Sequence, residues 1–178
     1  MERQKKLDYN IMLIGFMGVG KSTISARLQE LLPVETVEMD ALIAQKAGMT
    51  IAEIFDRYGE EHFRDMETEM IKELGNQKNL LVSCGGGAVL RDENVRLMKE
   101  GGTIVLLTAS PETIYERVKD STERPILNAD MSVSHIEELM ARRRDKYERA
   151  ADLVISTDGK TVDEICAEVI KKLPGTAE

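Results

Sequence analysis

Residues 15–23 read Gly15-Phe16-Met17-Gly18-Val19-Gly20-Lys21-Ser22-Thr23. The spacing is G-x-x-x-x-G-K-[ST], the signature of a loop that cradles phosphates. Its glycines let successive backbone N–H groups curl around an anion. The chemistry expected of it is nucleotide binding, with Lys21 toward the β- and γ-phosphates and the Ser22 hydroxyl toward Mg²⁺. Gly18, Val19, Gly20, Lys21, Ser22 and Thr23 are therefore the candidate nucleotide-binding residues. An ordinary glycine-rich turn is the alternative. The flanks argue against it, because Ile11-Met12-Leu13-Ile14 precedes the loop as a short apolar strand and Lys21–Leu32 follows with Ile24, Leu28 and Leu31 at helical spacing, ending at Pro33.

A phosphoryl-transfer site needs positioning and positive charge more than covalent chemistry. Several residues could supply these. Asp40 follows an apolar segment and opens a helical pattern. It is either an N-cap or a carboxylate facing the phosphate loop, able to take a proton from an attacking hydroxyl. Glu38, two residues earlier, is a candidate partner of Mg²⁺ or of Lys21. Gly85-Gly86-Gly87 directly follow the run Leu80–Cys84; three glycines there permit close backbone approach to a ligand and offer N–H groups, whereas a merely flexible turn, the alternative, would need only one or two. Ser83 is a weaker candidate for the Mg²⁺ water shell. Arg64 and Glu67, at i and i+3 behind Phe63, form either a surface ion pair or an oriented arginine for a substrate carboxylate. Arg124-Pro125 lies in a polar segment where an arginine is either solvated or closes on a transferring phosphate. Of Arg142-Arg143-Arg144, a helix can aim only one at a pocket.

The elements that would position these residues recur as apolar runs between helical patterns: Val34–Met39, Leu80–Val82, Thr103–Leu107 and Leu153–Ile155, after the first at Ile11–Ile14. Continuous rather than alternating runs point to strands covered on both faces, hence to an α/β fold with a parallel sheet between helix layers. Thr50-x-x-Glu53 and Thr161-x-x-Glu164 read as capping boxes, and Ser110-Pro111 as an N-cap followed by proline at the first helical position. Gly48, Gly59 and Gly101 stand where helices should end. Residues 40–75 hold two or three short helices, more than one crossover needs, and read as a substrate-binding insertion. Residues 119–131 read as a lid.

The 178 residues suit a single domain spanning 1–178. Net charge is −8, with 42% apolar and 31% charged residues. An acidic surface argues against a nucleic-acid partner. No apolar run reaches membrane-spanning length and the N-terminus lacks a signal-type apolar core, so a cytoplasmic protein with no membrane partner is expected. Cys84 and Cys166 match no metal spacing and read as reduced core residues; His62 and His135 have no metal partner at useful spacing. Nothing signals oligomerisation, and a monomer is expected.

With these landmarks in order, the chain resembles bacterial shikimate kinases over essentially its whole length. The matching segments are GFMGVGKST at 15–23, EMDALI at 38–43, TIAEIFDRYGEEHFRDME at 50–67, GGGAVL at 85–90, ERPIL at 123–127 and MARRRDKY at 140–147. The resemblance implies a three-layer fold with a five-stranded parallel sheet ordered 2-3-1-4-5, of the nucleoside-monophosphate-kinase-like type. It implies ATP- and Mg²⁺-dependent phosphorylation of the shikimate 3-hydroxyl. Carried over by position, Lys21, Asp40 and Arg124 would be catalytic, with Asp40 holding the shikimate hydroxyls and Arg124 closing on the phosphates. Arg64, Arg143 and the Gly85–Gly87 backbone would hold the carboxylate, Glu67 would steer Arg64, and Phe55 and Phe63 would wall the ring. Arg117 would lie near the adenine, with Lys160 in the loop beside it. One departure stands out: Glu38-Met39-Asp40 replaces the family's Asp-x-Asp, keeping the charge at the first position with one more methylene.

Two rivals accompany this reading. Another small phosphate-loop kinase, such as a gluconate or nucleoside monophosphate kinase, would share the loop, and gluconate is also a polyol acid. A nucleotide-binding switch protein would need a guanine-reading N-K-x-D segment, which the chain lacks; Asp56-Arg57-Tyr58-Gly59 mimics a D-x-x-G switch but sits at a helix end.

Overall fold

Strand β1 (Asn10–Ile14) is buried at all five positions. Successive strand residues point to opposite faces, so both faces of the sheet are covered there. The computed structural model describes residues 6–120 and 132–176. From β1 the chain runs through α1 (Lys21–Leu31), β2 (Glu35–Glu38), α2 (Met39–Ala47), α3 (Ile51–Gly75) and β3 (Leu80–Ser83). A short 3₁₀ turn (Ala88–Leu90), α4 (Asp92–Gly101), β4 (Gly102–Thr108) and α5 (Pro111–Val118) follow, then α6 (Val133–Ala150), β5 (Leu153–Ser156) and α7 (Val162–Lys172).

The sheet is parallel throughout, in the order β2-β3-β1-β4-β5. That is the arrangement expected above. β1 sits at the centre, with Leu13 opposite Ser83 of β3 and opposite Val105 of β4. The chain leaves β1 toward one side of the sheet and returns later on the other. The loop after β1 therefore opens at the switch point, where α/β sheets bind ligands. Helix α1 packs on α7, α3 packs on α2 and α4, and α6 packs on α5.

The reading of every strand as covered on both faces needs correction at the edges. β2 is shorter than Val34–Met39 and has the pattern exposed-intermediate-intermediate-exposed. Met39 and Asp40 belong to α2 instead. β5 buries Ile155 but leaves Val154 51% exposed. Both are edge strands, and an edge lacks a neighbour on one side to help bury it.

Helix punctuation follows the expectations. Both capping boxes close reciprocally, Thr50 with Glu53 and Thr161 with Glu164. The Ser110 side chain accepts from the Thr113 N–H ahead of Pro111. Gly48 ends α2 at φ 66°, in the left-handed region that glycine enters without steric cost. Gly59, at φ 83°, interrupts α3, so the insertion is built from three helical pieces. Asp40 is not an N-cap. Glu38 holds that position, leaving the Asp40 carboxylate in the first turn of α2 at the carboxyl end of β2. Cys84 and Cys166 are both buried and reduced, and burial pushes the Cys84 thiol up to about 12. Residues 121–131, which hold most of the lid expected at 119–131, lie outside the described residues; Lys119 and Asp120 follow α5.

Candidate active site

The phosphate loop is shaped by close approaches. A methyl group on Gly15 would sit 2.6 Å from the Leu107 carbonyl oxygen, and one on Gly18 would sit 2.5 Å from a Val118 methyl. Gly20 (φ 101°) starts α1 with no side-chain cap, so no side chain occupies the positive end of that helix. Lys21 Nζ donates to the Gly15 carbonyl at 2.7 Å and the Phe16 carbonyl at 3.3 Å, which folds the ammonium back over its own loop. Val19 differs from its neighbours. Its side chain is buried and its N–H is used within the loop, on the Phe16 carbonyl.

A cleft of about 440 Å³ opens beside this loop. Gly18, Gly20, Lys21, Ser22, Thr23 and Arg117 line one part, and Glu38, Asp40, Ser83, Gly85 and Gly86 line another. Arg117 reaches from α5 and donates to the Val19 carbonyl at 2.8 Å, which ties α5 to the loop. Lys160 is not among the lining residues. Its ammonium bonds Glu168 at 2.6 Å, and with Lys172 it holds that carboxyl down at about 2.

Ser22 Oγ donates to Glu38 Oε2 at 3.2 Å. The longer glutamate thus still reaches the hydroxyl. A hydroxyl whose proton is committed to a carboxylate keeps its lone pairs for a hard cation. Ser22, with Glu38 behind it, fits Mg²⁺ in this way. Among the described residues no group of three His, Cys, Asp or Glu could form a cage. That also suits an ion that takes few protein ligands and several phosphate or water oxygens.

Across the cleft, the three consecutive glycines each face a different charged group. A methyl on Gly85 would lie 2.7 Å from Asp40 Oδ1 and 3.1 Å from Glu67 Oε1. On Gly86 it would lie 3.6 Å from Arg143 Nη1 and 3.9 Å from the Gly15 carbonyl of the phosphate loop. On Gly87 it would lie 2.2 Å from Arg64 Nη1. A turn needing only flexibility would not exclude a side chain at both Gly85 and Gly87.

Arg64 is buried and held on several sides. It donates to Glu67 Oε2 at 2.6 Å and to Glu60 Oε1 at 3.1 Å, and its guanidinium lies 5.4 Å from the Phe63 ring centre. Phe55 packs on Phe63, with ring centres 4.9 Å apart. Glu67 is 0% exposed. Its second oxygen, Oε1, has no hydrogen-bond partner and points toward Gly85 and Asp40. Burial raises the Glu67 carboxyl above the usual carboxylate range, Arg64 pulls it back, and Asp40 pushes it up. The surface-pair reading of Arg64 and Glu67 is thereby excluded.

Of the three consecutive arginines, Arg143 faces the glycine turn. Arg142 is exposed and bonds Glu138, and Arg144 lines a separate pocket under the phosphate loop. Tyr147, one turn after Arg143, was not singled out from the sequence. Its hydroxyl donates to the Gly86 carbonyl at 2.5 Å. The i+4 spacing from Arg143 was the available signal. Arg124 lies outside the described residues.

A parallel sheet with a phosphate loop at its switch point, facing a cup of two arginines and two carboxylates, defines a small-molecule kinase of the phosphate-loop class. The family model for shikimate kinase matches residues 17–174. A shikimate kinase of Thermodesulfovibrio yellowstonii is 42% identical over 163 residues, covering 92% of this chain and 94% of the relative. A solved shikimate kinase from Acinetobacter baumannii, in complex with shikimate, superposes with a TM-score of 0.86 at 32% identity, covering 92% of this chain and 91% of that one. The chain belongs to the shikimate kinase family. A gluconokinase from Sinorhizobium meliloti shares the fold at a TM-score of 0.55 and 18% identity, which carries the likeness no further than architecture.

No helix among the described residues is long and apolar enough to cross a membrane.

Proposed function

We propose that this chain transfers the terminal phosphoryl group of ATP to the 3-hydroxyl of shikimate, with the phosphate loop as the nucleotide cradle and the glycine turn as the floor of the acid site. One observation supports this above the others: Gly86 lies against both Arg143 and the Gly15 carbonyl, so the acid cup and the nucleotide cradle share a wall. Transfer between bound partners requires that adjacency.

In this reading Arg64 and Arg143 hold the substrate carboxylate, which suits the planar guanidinium. Phe55 and Phe63 wall the ring. Asp40 accepts hydrogen bonds from the ring hydroxyls and takes the proton as the 3-hydroxyl oxygen attacks the phosphorus. The bond from the terminal phosphorus to the bridging oxygen breaks as the new P–O bond forms, and ADP leaves. Lys21, the α1 N-terminus and Arg124 counter the charge that spreads over the transferring oxygens. Mg²⁺, held through Ser22, neutralises phosphate charge when bound. Arg117 lies on the nucleotide side, and Lys160 belongs to the loop next to it. In this reading the protein is a cytoplasmic monomer acting on a small soluble acid.

The test is coupled ADP release with Mg²⁺ and shikimate, gluconate or AMP as acceptor. Shikimate should be preferred by at least about 10²-fold in kcat/KM, since a site built around buried polar partners rejects poor matches strongly. Preference for gluconate or AMP would defeat the assignment.

The glycine turn allows a sharper check. Gly87→Ala places a methyl where the Arg64 guanidinium lies, with Nη1 at 2.2 Å and Cζ and Nη2 at 2.6 Å. Arg64 must then shift by the better part of an ångström. The shikimate KM should rise roughly ten- to a hundredfold, with the ATP KM little changed. Equal changes in both constants would mean that Gly87 does not serve the acid side.

A further inference from the structure

Tyr147 is 6% exposed and sits on α6 one turn beyond Arg143. Its hydroxyl donates to the Gly86 carbonyl at 2.5 Å, and the Arg143 guanidinium lies beside it against the same glycine: a methyl on Gly86 would sit 3.6 Å from Arg143 Nη1 and 3.8 Å from the Tyr147 oxygen. Burial raises its phenol, and the nearby Arg143 charge pulls it back only in part. The group is thus a neutral hydroxyl that gives its proton to the turn and leaves its lone pairs on the side of the arginine.

A buried polar side chain satisfied by backbone groups is ordinary core behaviour. Asn10 is an example: fully buried, it bonds the Leu74 and Gln77 carbonyls and the Leu80 N–H near the start of the sheet, away from the cleft. Tyr147 differs in what it touches. The Gly86 carbonyl and the Gly87 N–H belong to one planar peptide unit, so fixing the oxygen fixes the direction of the N–H. Glycine has no side chain with which to resist rotation of that peptide. The other partner, Arg143, carries its charge on a flexible stem and faces the same turn.

We propose that Tyr147 is a positioning residue for the substrate carboxylate: its single hydroxyl orients the Gly86–Gly87 peptide and the Arg143 guanidinium together, so that two elements distant in sequence present their donors as one unit. This rests on the reading of the glycine turn as the floor of the shikimate site.

Tyr147→Phe keeps the ring and removes only the hydroxyl. With the full-length enzyme, the shikimate KM should rise roughly tenfold, the size of the effect of leaving a buried carbonyl without its donor. The ATP KM should stay within about twofold. The preference for shikimate over its methyl ester, which lacks the carboxylate charge, should fall by a similar factor. In an Arg143→Ala background the same substitution should change KM by much less, because the hydroxyl then has half its task. An unchanged shikimate KM, a parallel rise in both KM values with a lowered Tm, or full additivity with Arg143→Ala would each overturn the proposal. If the wild-type enzyme releases no ADP in response to shikimate, the parent reading fails and this proposal with it; wild-type turnover beside an indifferent Tyr147→Phe removes the proposal alone.

Discussion

Lys21→Ala is expected to lower kcat by roughly 10³-fold while leaving the fold intact. The ammonium already sits over the loop, bonded to the Gly15 and Phe16 carbonyls. The charge is thus already held at the loop, and preorganised charge of this kind contributes most where water is excluded. Its structural role is smaller. The two hydrogen bonds it would abandon are only part-buried, so the expected loss is about 1 kcal/mol, or roughly 2–4 °C in Tm for a chain of this size. Coupled ADP release and a thermal melt on the same preparation check both halves. Retained turnover would place the chemistry away from this loop, and a collapsed melt would make the variant uninformative about catalysis; Lys21→Met, which keeps the stem and its packing, then decides between them.

Arg64→Ala is expected to raise the shikimate KM by roughly 10²-fold, with little effect on the ATP KM. The same change should cost about 3 kcal/mol of stability, because the buried Glu67 carboxylate then loses the arginine it is paired with. Adding Glu67→Gln should recover part of that stability and none of the KM. The pH dependence has a definite sign. The folded Glu67 carboxyl lies above its ordinary value, so its protonation favours the fold. The contribution is fully present below the unfolded value and is lost as pH rises through the folded one. Without Arg64 the folded value moves higher. The Tm gap between Arg64→Ala and wild type should therefore narrow as pH is lowered from about 8 toward about 5. A gap that widens on acidification would mean that Glu67 is not the orphaned charge.

What could be read before folding was local. The phosphate loop is nine contiguous residues, with the strand directly before it and the helix opening within it. The capping boxes at Thr50 and Thr161 are four-residue patterns, and each closes as read. Arg64 and Glu67 share a helix face because three residues make most of a turn, so their pairing was visible, although their burial was not. The ordered set of segments carried the family, and the family carried the strand order.

The remainder depended on contacts between residues far apart in the chain. Edge position in the sheet, not composition, left β2 and β5 half covered. The partner of Lys160 was decided by which face of α7 turned toward its loop. Three glycines in a row pointed to close approach by a ligand, but not to the side chains that meet them: Asp40 from α2 and Arg64 from α3 take the space of side chains at Gly85 and Gly87, and Arg143 from α6 lies against Gly86. Tyr147 was one more apolar-looking position on a helix until its hydroxyl met the Gly86 carbonyl, 61 residues earlier. Short-range spacing is set by the helix and strand repeat, and the sequence alone determined the nucleotide cradle for that reason. The acid cup is closed by side chains from three helices meeting at one turn, and only tertiary packing brings those helices there.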